Sequence, residues 1–219
     1  MTDPRIQQLV TAIDQADSPA RLIAAVRALA TERSADGIPT LIQVLGYNNP
    51  GAAVTAMNGL VQLGDVAVTA LIEQLDGYNY GARSYSIRAL AAIGDPRALD
   101  TLLEAAETDF APSVRRAATK GVGCLRWHLI SEEQIADAQA KVLKTLLLVS
   151  HDEDWAIRYA AIVGLEAIAA FLKGDSVWRV NDRLTEIMQT DPVSATQARA
   201  QLAQHRMGAL PRSTASASY

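Results

Sequence analysis

Two stretches of the sequence, GLVQLGDVAVTALIEQL at residues 59–75 and ALAAIGDPRALDTLLEA at residues 89–105, match when the chain is shifted by 30 residues. The shift places Gly64-Asp65 over Gly94-Asp95 and keeps the spacing of the apolar residues on both sides. Self-similarity at a period of about 30 residues is typical of proteins built from stacked repeats. The chain is therefore predicted to be a repeat protein.

The Gly-Asp pairs are predicted turns within each unit. Apolar residues that follow the turns recur at spacings of three, four and seven, which is one face of an α-helix. In successive units they are Ile38, Leu41, Ile42 and Leu45; Val68, Leu71, Ile72 and Leu75; Ala98, Thr101, Leu102 and Ala105. A stripe of small and apolar residues precedes each turn and predicts a first helix that packs closely on its neighbours. Its members are Ala52, Ala56, Gly59 and Leu60; Ala82, Ser86, Ala89 and Leu90; Val114, Ala118, Gly121 and Val122; Ile157, Ala161, Gly164 and Leu165.

Because no β-branched run is bounded like a strand between these helices, the predicted fold is all-α. It is an α-solenoid of HEAT-like helical hairpins in a right-handed superhelical crescent, with the second helices on the concave face. Residues 1–207 are predicted to be a single repeat domain of about five helical pairs plus a capping helix, and residues 208–219 a disordered tail. The segment RLIAAVRALA predicts an exposed apolar end-face at the first unit, for a partner.

The overall charge limits the possible partners. A formal charge of −4 and a pI near 5.4 argue against a general binder of nucleic acid or anionic membranes. The single cysteine, Cys124, excludes an internal disulfide and favours a reducing compartment. No signal peptide and no apolar stretch of membrane-spanning length is apparent, so a cytoplasmic protein is predicted.

Catalytic motifs are missing from the sequence. There is no P-loop, GxGxxG or HExxH pattern. Cys124 and His128, four residues apart on one helix face, are too few for a metal site, so no metal is predicted. A Cys–His nucleophile pair remains a less favoured alternative to a buried thiol beside a partly exposed imidazole.

Arginines recur one residue after the beginning of the first-helix stripe, at Arg83, Arg115 and Arg158. Asp109 upstream of Arg115, and Asp154 upstream of Arg158, predict ion pairs that help to stack the units. Arg83 has no acid immediately upstream and is therefore the better candidate for a ligand contact.

Aromatic residues concentrate in the turns between units, at Tyr47, Tyr78, Tyr80, Phe110 and Trp155. They seal the edge between units or line a groove for a flat conjugated ligand, and both alternatives are open. The loops GYNNPG and GYNYGA, at matching points of consecutive units, favour a ligand at this edge.

The run YNYGARSYSIRALAAIGDPRALDTLLEAAETDFAPSVRRAATKGVG at residues 78–123, with DWAIRYAAIVGLEAIA at 154–169, resembles the F-type (beta) subunits of the heterodimeric E/F phycobilin lyases. The resemblance extends from about residue 20 to 205. It is closest to the phycocyanobilin lyases that serve the phycocyanin α chain. It implies a cyanobacterial or plastid protein, associated with phycobilisome assembly, that acts with a homologous E-type subunit.

The family's activity explains why the sequence has none of these catalytic motifs. The pair attaches phycocyanobilin, an open-chain tetrapyrrole, through a thioether bond to a cysteine of the phycocyanin α subunit. The acceptor supplies the thiol and the bilin its electrophilic ethylidene group, so the lyase only holds and orients them. Phycocyanobilin is then a transferred substrate, and no resident cofactor is implied. The alternative function is a non-catalytic HEAT-repeat scaffold or chaperone for phycobiliproteins, or a purely structural adaptor.

The resemblance suggests a bilin-facing edge made by residues of the turns between units: Tyr47, Asn48, Tyr78, Tyr80 and Arg83. Trp127 and His128 are further candidates, with Asp109 and Arg115 as a supporting pair. On this basis Arg83→Ala is expected to lower attachment and leave melting unchanged. Isomerising relatives are expected to carry a His-Cys pair in the turn that corresponds to residues 47–51, whereas this chain has YNNPG there. The prediction is therefore attachment without isomerisation.

Overall fold

A computed structural model describes residues 3–76 and 80–209. In this part of the chain there are helices and no strand, which confirms the all-α prediction. The α-helices are α1 Pro4–Asp14, α2 Pro19–Thr31, α3 Ile38–Leu45, α4 Pro50–Leu63, α5 Val68–Glu73, α6 Tyr80–Ile93, α7 Leu99–Thr108, α8 Pro112–Gly123, α9 Glu132–Val149, α10 Trp155–Ala169, α11 Asp175–Thr190 and α12 Ser194–Ala209. Short 3-10 helices occupy Ala35–Gly37, Gly64–Ala67, Gln74–Asp76, Pro96–Ala98 and Trp127–Leu129.

The helices form two layers that run the length of the array. In the first layer each even-numbered helix packs on the next, from α2 through to α12. The odd-numbered helices make the second layer, and each lies against its even-numbered neighbours. This alternation is the α-solenoid that the repeated stripes predict.

Local signals in the sequence begin and end the helices. Side chains of Ser18, Asn49 and Asp154 accept hydrogen bonds from backbone N–H groups at the starts of α2, α4 and α10. Gly64 and Gly94, in the repeated Gly-Asp pair, both have φ of 68°, a backbone conformation that glycine adopts without a steric penalty. The repeated Gly-Asp pair is therefore the turn between the two helices of a unit.

Small residues of the stripe let the first-layer backbones touch. A Cβ on Gly121 of α8 would lie 2.8 Å from the Ala91 Cα of α6, and one on Gly123 would lie 2.5 Å from the Gly164 carbonyl oxygen of α10. Successive helices of the second layer make far fewer contacts with one another. The first helices therefore form the more closely packed layer. That the second helices form the concave face stays a prediction.

The periodic arginines do form ion pairs, but each pairs with the next unit. Arg83 Nε lies 2.9 Å from Asp109 Oδ2, and Arg115 pairs with Asp152. Arg158 Nε lies 2.7 Å from Asp191 Oδ2. The predicted partners, Asp109 for Arg115 and Asp154 for Arg158, were therefore wrong.

Each of these aspartates also closes the turn in which it lies. Asp109 Oδ1 accepts from the Ala111 N–H at 2.9 Å, and Asp191 Oδ1 accepts from the Val193 N–H at 2.8 Å. Asp152 does the same for the N–H of Asp154. One carboxylate thus satisfies its own turn and the arginine of the preceding unit, which fixes the spacing between units.

Arg83→Ala is consequently expected to destabilise the protein, rather than to leave its melting unchanged. The Asp109 side chain is 1% exposed, so the variant would leave a buried carboxylate without its cation. Such a loss lowers the free energy of unfolding by about 1–3 kcal/mol. Urea denaturation followed by circular dichroism measures the change. Identical unfolding curves for the variant and the wild type would contradict the structural role.

The N-terminal end of the array is covered by a largely polar helix surface. At the N-terminal end, Ile6 and Ile13 of α1 pack in the core beside Val26 and Leu29 of α2, and the outward residues of α1 are mostly polar. The expected apolar end-face at RLIAAVRALA is therefore absent from the described chain, because α1 covers it. At the other end, Gly208 and Ala209 continue α12, and residues 210–219 of the predicted tail lie outside the described residues.

One run, Pro50–Glu73, is long and apolar enough to cross a membrane by length and composition alone, with a mean hydropathy of 1.3. This corrects the expectation that no stretch reaches such a length. The turn at Gly64, however, divides the run into α4 and α5. The 14 residues of α4 extend about 21 Å, less than the ~30 Å of a bilayer core. Apolar side chains from both parts of the run, Leu60 of α4 and Val68 and Leu71 of α5, are buried in the core. The run is therefore weak evidence for a span.

Candidate functional site

A groove crosses the first-layer helices α6, α8 and α10 and encloses a volume of about 610 Å³. Each helix contributes residues that lie two and six positions after the beginning of its buried stripe. The groove is lined by Ser84, Arg88, Ser113, Arg116, Ala117, Lys120, Ala156, Tyr159, Ala160 and Val163. The solenoid therefore presents an open cavity on the more closely packed face.

The centre of the groove is basic. Arg88, Arg116 and Lys120 are exposed residues of two adjacent helices, and the guanidinium of Arg88 lies 5.4 Å from the centre of the Tyr85 ring. No acidic residue lines the groove, and no acidic side chain within residues 3–76 and 80–209 pairs with any of these three cations. Three unneutralised cations on a protein of net charge −4 have the chemistry to hold a carboxylate-bearing ligand.

Apolar side chains flank this basic centre. On one side Tyr159, which is 37% exposed, lies with Ala160 and Val163 on α10. On the other, Val54 of α4 occupies the position that Arg116 has in α8 and is also 37% exposed. The surface along the first layer thus changes from apolar to basic and back to apolar, which suits an elongated ligand with carboxylates near its middle.

The sequence-predicted Tyr47 and Asn48 lie elsewhere. They line an open cavity of about 470 Å³ formed by the turn before α4 and the turn between α1 and α2, with Asp17, Ser18 and Asn49 among its walls. This cavity shares no lining residue with the basic groove. Tyr78 lies outside the described residues; Tyr80 begins α6, and its side chain is also outside the description.

The other predicted residues have mainly structural surroundings. Arg83, Asp109 and Arg115 belong to the ion pairs between units. Trp127 is 2% exposed, with its ring centre 5.9 Å from that of Phe171, so it is a core residue rather than part of an open surface. His128 is exposed on the adjoining 3-10 helix. The structure does not gather these residues into one site, and a ligand contact by any of them stays a prediction.

Cys124 lies at the end of α8, four residues beyond Lys120. Although the residue is exposed as a whole, burial around the sulfur raises the pKa of the thiol, and the nearby Lys120 offsets this only in part. A raised pKa keeps the thiol protonated and makes it a poor nucleophile. Within the described residues, no group of three His, Cys, Asp or Glu side chains is placed to hold a metal ion.

Sequence reasoning missed the three cations at the centre of the groove. The signal was present, because Arg116 and Lys120 stand four residues apart on the same helix, beside the stripe. Arg88 occupies in α6 the position of Lys120 in α8. The preceding arginine, Arg115, attracted attention because it recurs, but a residue that recurs in every unit more often serves the stacking of units.

Comparison with known proteins agrees with this fold and identifies relatives. The family model for HEAT repeats matches residues 67–123. The chain is 52% identical to the phycocyanobilin lyase subunit beta of Nostoc sp. (strain PCC 7120) over 197 residues, which are 90% of this chain and 98% of the relative. It is 55% identical to the phycocyanin alpha phycocyanobilin lyase CpcF of Synechocystis sp. (strain PCC 6803), over 76% of this chain and 78% of the relative.

A solved structure gives the same relationship in three dimensions. It is the complex of CpcE and CpcF of phycocyanin lyase from Nostoc sp. PCC7120, of which one chain is 55% identical to this one. The superposition has a TM-score of 0.74 and covers 78% of this chain and 99% of that chain. The resemblance noted in the sequence is thereby confirmed, and the chain belongs to the family of phycocyanobilin lyase beta subunits.

Proposed function

We propose that this chain is one subunit of a heterodimeric bilin lyase. With an E-type partner, it attaches phycocyanobilin through a thioether bond to a cysteine of the phycocyanin α subunit. The names of its relatives, at 52% and 55% identity, support the activity and the acceptor, and the solved complex of CpcE and CpcF supports the partner. The cytoplasm of a cyanobacterium, during phycobilisome assembly, is the proposed location. Phycocyanobilin is the substrate, and we propose no resident cofactor.

The proposed bilin site in this chain is the groove, and the supporting observation is its basic centre with apolar side chains on both sides. A bilin carries two propionates on its central rings, whereas its end rings are uncharged and bear alkyl substituents. Arg88, Arg116 and Lys120 would hold the propionates through charge-assisted hydrogen bonds. Tyr159 and Val163 would lie against the ring beyond them.

The proposed reaction needs no nucleophile from this chain. The acceptor's thiol adds across the ethylidene double bond of the bilin, so one S–C bond forms and the thiol's proton passes to the bilin carbon. No group leaves and nothing is oxidised or reduced. The chain's own residues contribute by fixing the propionates, which holds the bilin in one position while the partner and the acceptor approach. The raised pKa of the Cys124 thiol, which keeps it protonated, agrees with a reaction in which the acceptor supplies the nucleophile.

Attachment without isomerisation is part of the proposal. The turn at residues 47–51 reads Tyr-Asn-Asn-Pro-Gly and has neither the histidine nor the cysteine expected of isomerising relatives. In the structure, Asn49 instead caps α4 by accepting from the Ala52 N–H at 3.0 Å. This turn therefore serves the start of a helix and offers no acid–base pair.

The double variant Arg116→Gln/Lys120→Gln tests the site. In the complex with the E-type partner, we expect at least a tenfold weaker affinity for phycocyanobilin, because each lost charge-assisted contact is worth about 1.5–3 kcal/mol before solvent screening. The measurement is an absorption titration, followed by the rate of covalent adduct formation on apo-phycocyanin α subunit. Circular dichroism should be unchanged, since both side chains are exposed.

The matched control is Arg27→Gln/Lys144→Gln, which removes the same charge from exposed positions of α2 and α9 outside the groove. Equal loss of affinity in both double variants would mean that overall charge, not the groove, attracts the bilin. If the wild-type complex neither shifts the bilin spectrum nor forms an adduct, the lyase proposal fails and the scaffold or chaperone alternative stands.

A further inference from the structure

A second cavity, of about 310 Å³, continues the groove along α10 towards α12. Val163 lines both cavities, so they adjoin. The walls of the second cavity, here called the α10–α12 cleft, are Val163, Glu166, Ala167, Ala170, Arg199, Arg206 and Met207. Four of these residues are apolar, and the other three, Glu166, Arg199 and Arg206, are charged.

Arg199 is an almost fully buried cation on the wall of this cleft. Its side chain is 7% exposed, and its guanidinium carbon lies 5.9 Å from the centre of the Tyr159 ring. Nη2 of Arg199 lies 2.5 Å from Glu166 Oε2, which pairs the two charges. The other terminal nitrogen, Nη1, is buried and finds no hydrogen-bond acceptor among the described residues.

Glu166 has a buried carboxylate oxygen that accepts no hydrogen bond. Its Oε2 is close to Arg199, but the two groups are not aligned for a hydrogen bond, and no other donor in the described chain reaches it. Arg206 approaches only the other oxygen, Oε1, at 3.4 Å. A buried donor and a buried acceptor therefore stand side by side unsatisfied. Such groups are unfavourable unless a ligand or water pairs with them.

We propose that the α10–α12 cleft is a subsite for a lactam, specifically the end ring of a bilin. The lactam carbonyl accepts a hydrogen bond from Arg199 Nη1, and the adjacent ring N–H donates one to Glu166 Oε2. The inference rests on the proposed function and adds to it the place and the orientation of the end ring. Seven residues of helix separate Tyr159 from Glu166, which is about 10 Å along α10, within reach of one elongated ligand.

The position of Glu166 favours a lactam over a carboxylate. A carboxylate at Arg199 Nη1 would lie beside the Glu166 carboxylate, and the second cation of the cleft, Arg206, is largely exposed and contacts the other oxygen of Glu166. The neutral lactam offers one donor and one acceptor on the same edge. The apolar side chains of Val163, Ala167 and Ala170 suit the alkyl substituents of the ring. The two cavities thus divide the ligand into a carboxylate-bearing middle and a neutral end.

The test uses the complex with the E-type partner and two probes, phycocyanobilin and its dimethyl ester, which keeps the lactams but masks both propionates. The variant Glu166→Met/Arg199→Met removes the buried cation together with its carboxylate partner, so no buried ion is left unpaired, and the largely exposed Arg206 loses only its 3.4 Å contact with Glu166. We expect it to bind both probes about tenfold more weakly, the effect of losing two hydrogen bonds. A second variant, Arg199→Lys, keeps the cation but not the second planar donor, and is expected to lose affinity for both probes.

The matched control is Arg179→Met/Asp182→Met, which removes one cation and one acid from exposed positions of α11. Wild-type affinity for both probes in the two cleft variants would overturn the subsite and leave the proposed lyase function intact. A loss confined to phycocyanobilin, with the ester unaffected, would place a propionate at Arg199 and also overturn the lactam assignment. Failure of the wild-type complex to bind either probe would instead remove the proposed function and, with it, the subsite.

Discussion

Replacement of Arg158 by methionine is expected to lower the free energy of unfolding by about 3–5 kcal/mol, the usual effect of breaking a buried ion pair. Arg158 donates from Nε to Asp191 Oδ2 at 2.7 Å and from Nη2 to Oδ1 at 3.0 Å, and the two side chains are 11% and 4% exposed. Its Nη1 also donates to the backbone carbonyls of Asp152 and Glu153. One side chain therefore connects the turn before α10 to the turn before α12.

The loss of stability in Arg158→Met should depend on pH. The hydrogen bond from Arg158 holds the pKa of Asp191 below its ordinary value of about 3.8. A carboxyl whose pKa is lowered by folding contributes stability above its unfolded pKa and loses it as the pH falls through the folded value. The difference between wild type and Arg158→Met should be largest near neutral pH. It should shrink below about pH 4, as Asp191 is protonated first in the unfolded chain and then, at lower pH, in the folded wild type.

Urea denaturation at pH 7 and at pH 3 measures both effects. Arg21→Met is the control, since Arg21 pairs with Asp17 in the open, with side chains 73% and 65% exposed, and surface pairs contribute little. The double variant Arg158→Met/Asp191→Met should recover part of the lost stability, because no buried charge is left unpaired. A destabilisation of equal size at both pH values would show that packing rather than the ion pair is responsible.

Gly123→Ala is expected to separate α8 from α10 and to destabilise the protein by about 1–3 kcal/mol or more, the range for overpacked cores. A Cβ at this position would lie 2.5 Å from the carbonyl oxygen and 2.8 Å from the carbonyl carbon of Gly164. These are backbone atoms, so no rotamer change relieves the overlap and one helix has to move. Because α8 and α10 form two walls of the groove, the variant should also weaken bilin binding by the complex.

Gly208→Ala is the matched control within the same chain. Gly208 lies in α12, and a Cβ there would meet nothing within 4 Å. Alanine in place of glycine favours a helix by about 0.5–1 kcal/mol, less near a frayed end, so this variant should be neutral or slightly more stable. Thermal unfolding of both variants checks the pair. An unchanged melting temperature for Gly123→Ala would mean that the two backbones are not in contact in solution.

The array of helices was predictable because its signals are local and repeated. The spacing of Val68, Leu71 and Leu75 predicts a helix that buries one face, and all three are buried. The Gly-Asp pair predicts the turn, and Gly64 and Gly94 adopt the same φ. A periodic pattern is read several times along one chain, so an irregularity in one unit, such as the long α9, does not obscure it.

The candidate site was less predictable, because ligand-facing residues do not repeat. Arg83 seemed free because sequence reasoning looked for an acid upstream, and its actual partner, Asp109, lies 26 residues downstream. Trp127 was a candidate for the bilin-facing edge, yet it is 2% exposed and its ring centre lies 5.9 Å from that of Phe171. In both cases the partner comes from another unit, and the sequence around the residue carries no trace of it.

The sequence by itself therefore determined the helices, their turns and their stacking, since these follow from hydrophobic period and backbone preference within each unit. Only the tertiary structure decided which face carries the groove, because its walls are side chains of three neighbouring helices whose relative positions are set by packing. It also brought Arg88, Arg116 and Lys120 together and set Arg199 beside Glu166, since these contacts join residues whose separation in space is fixed by the packing of whole helices.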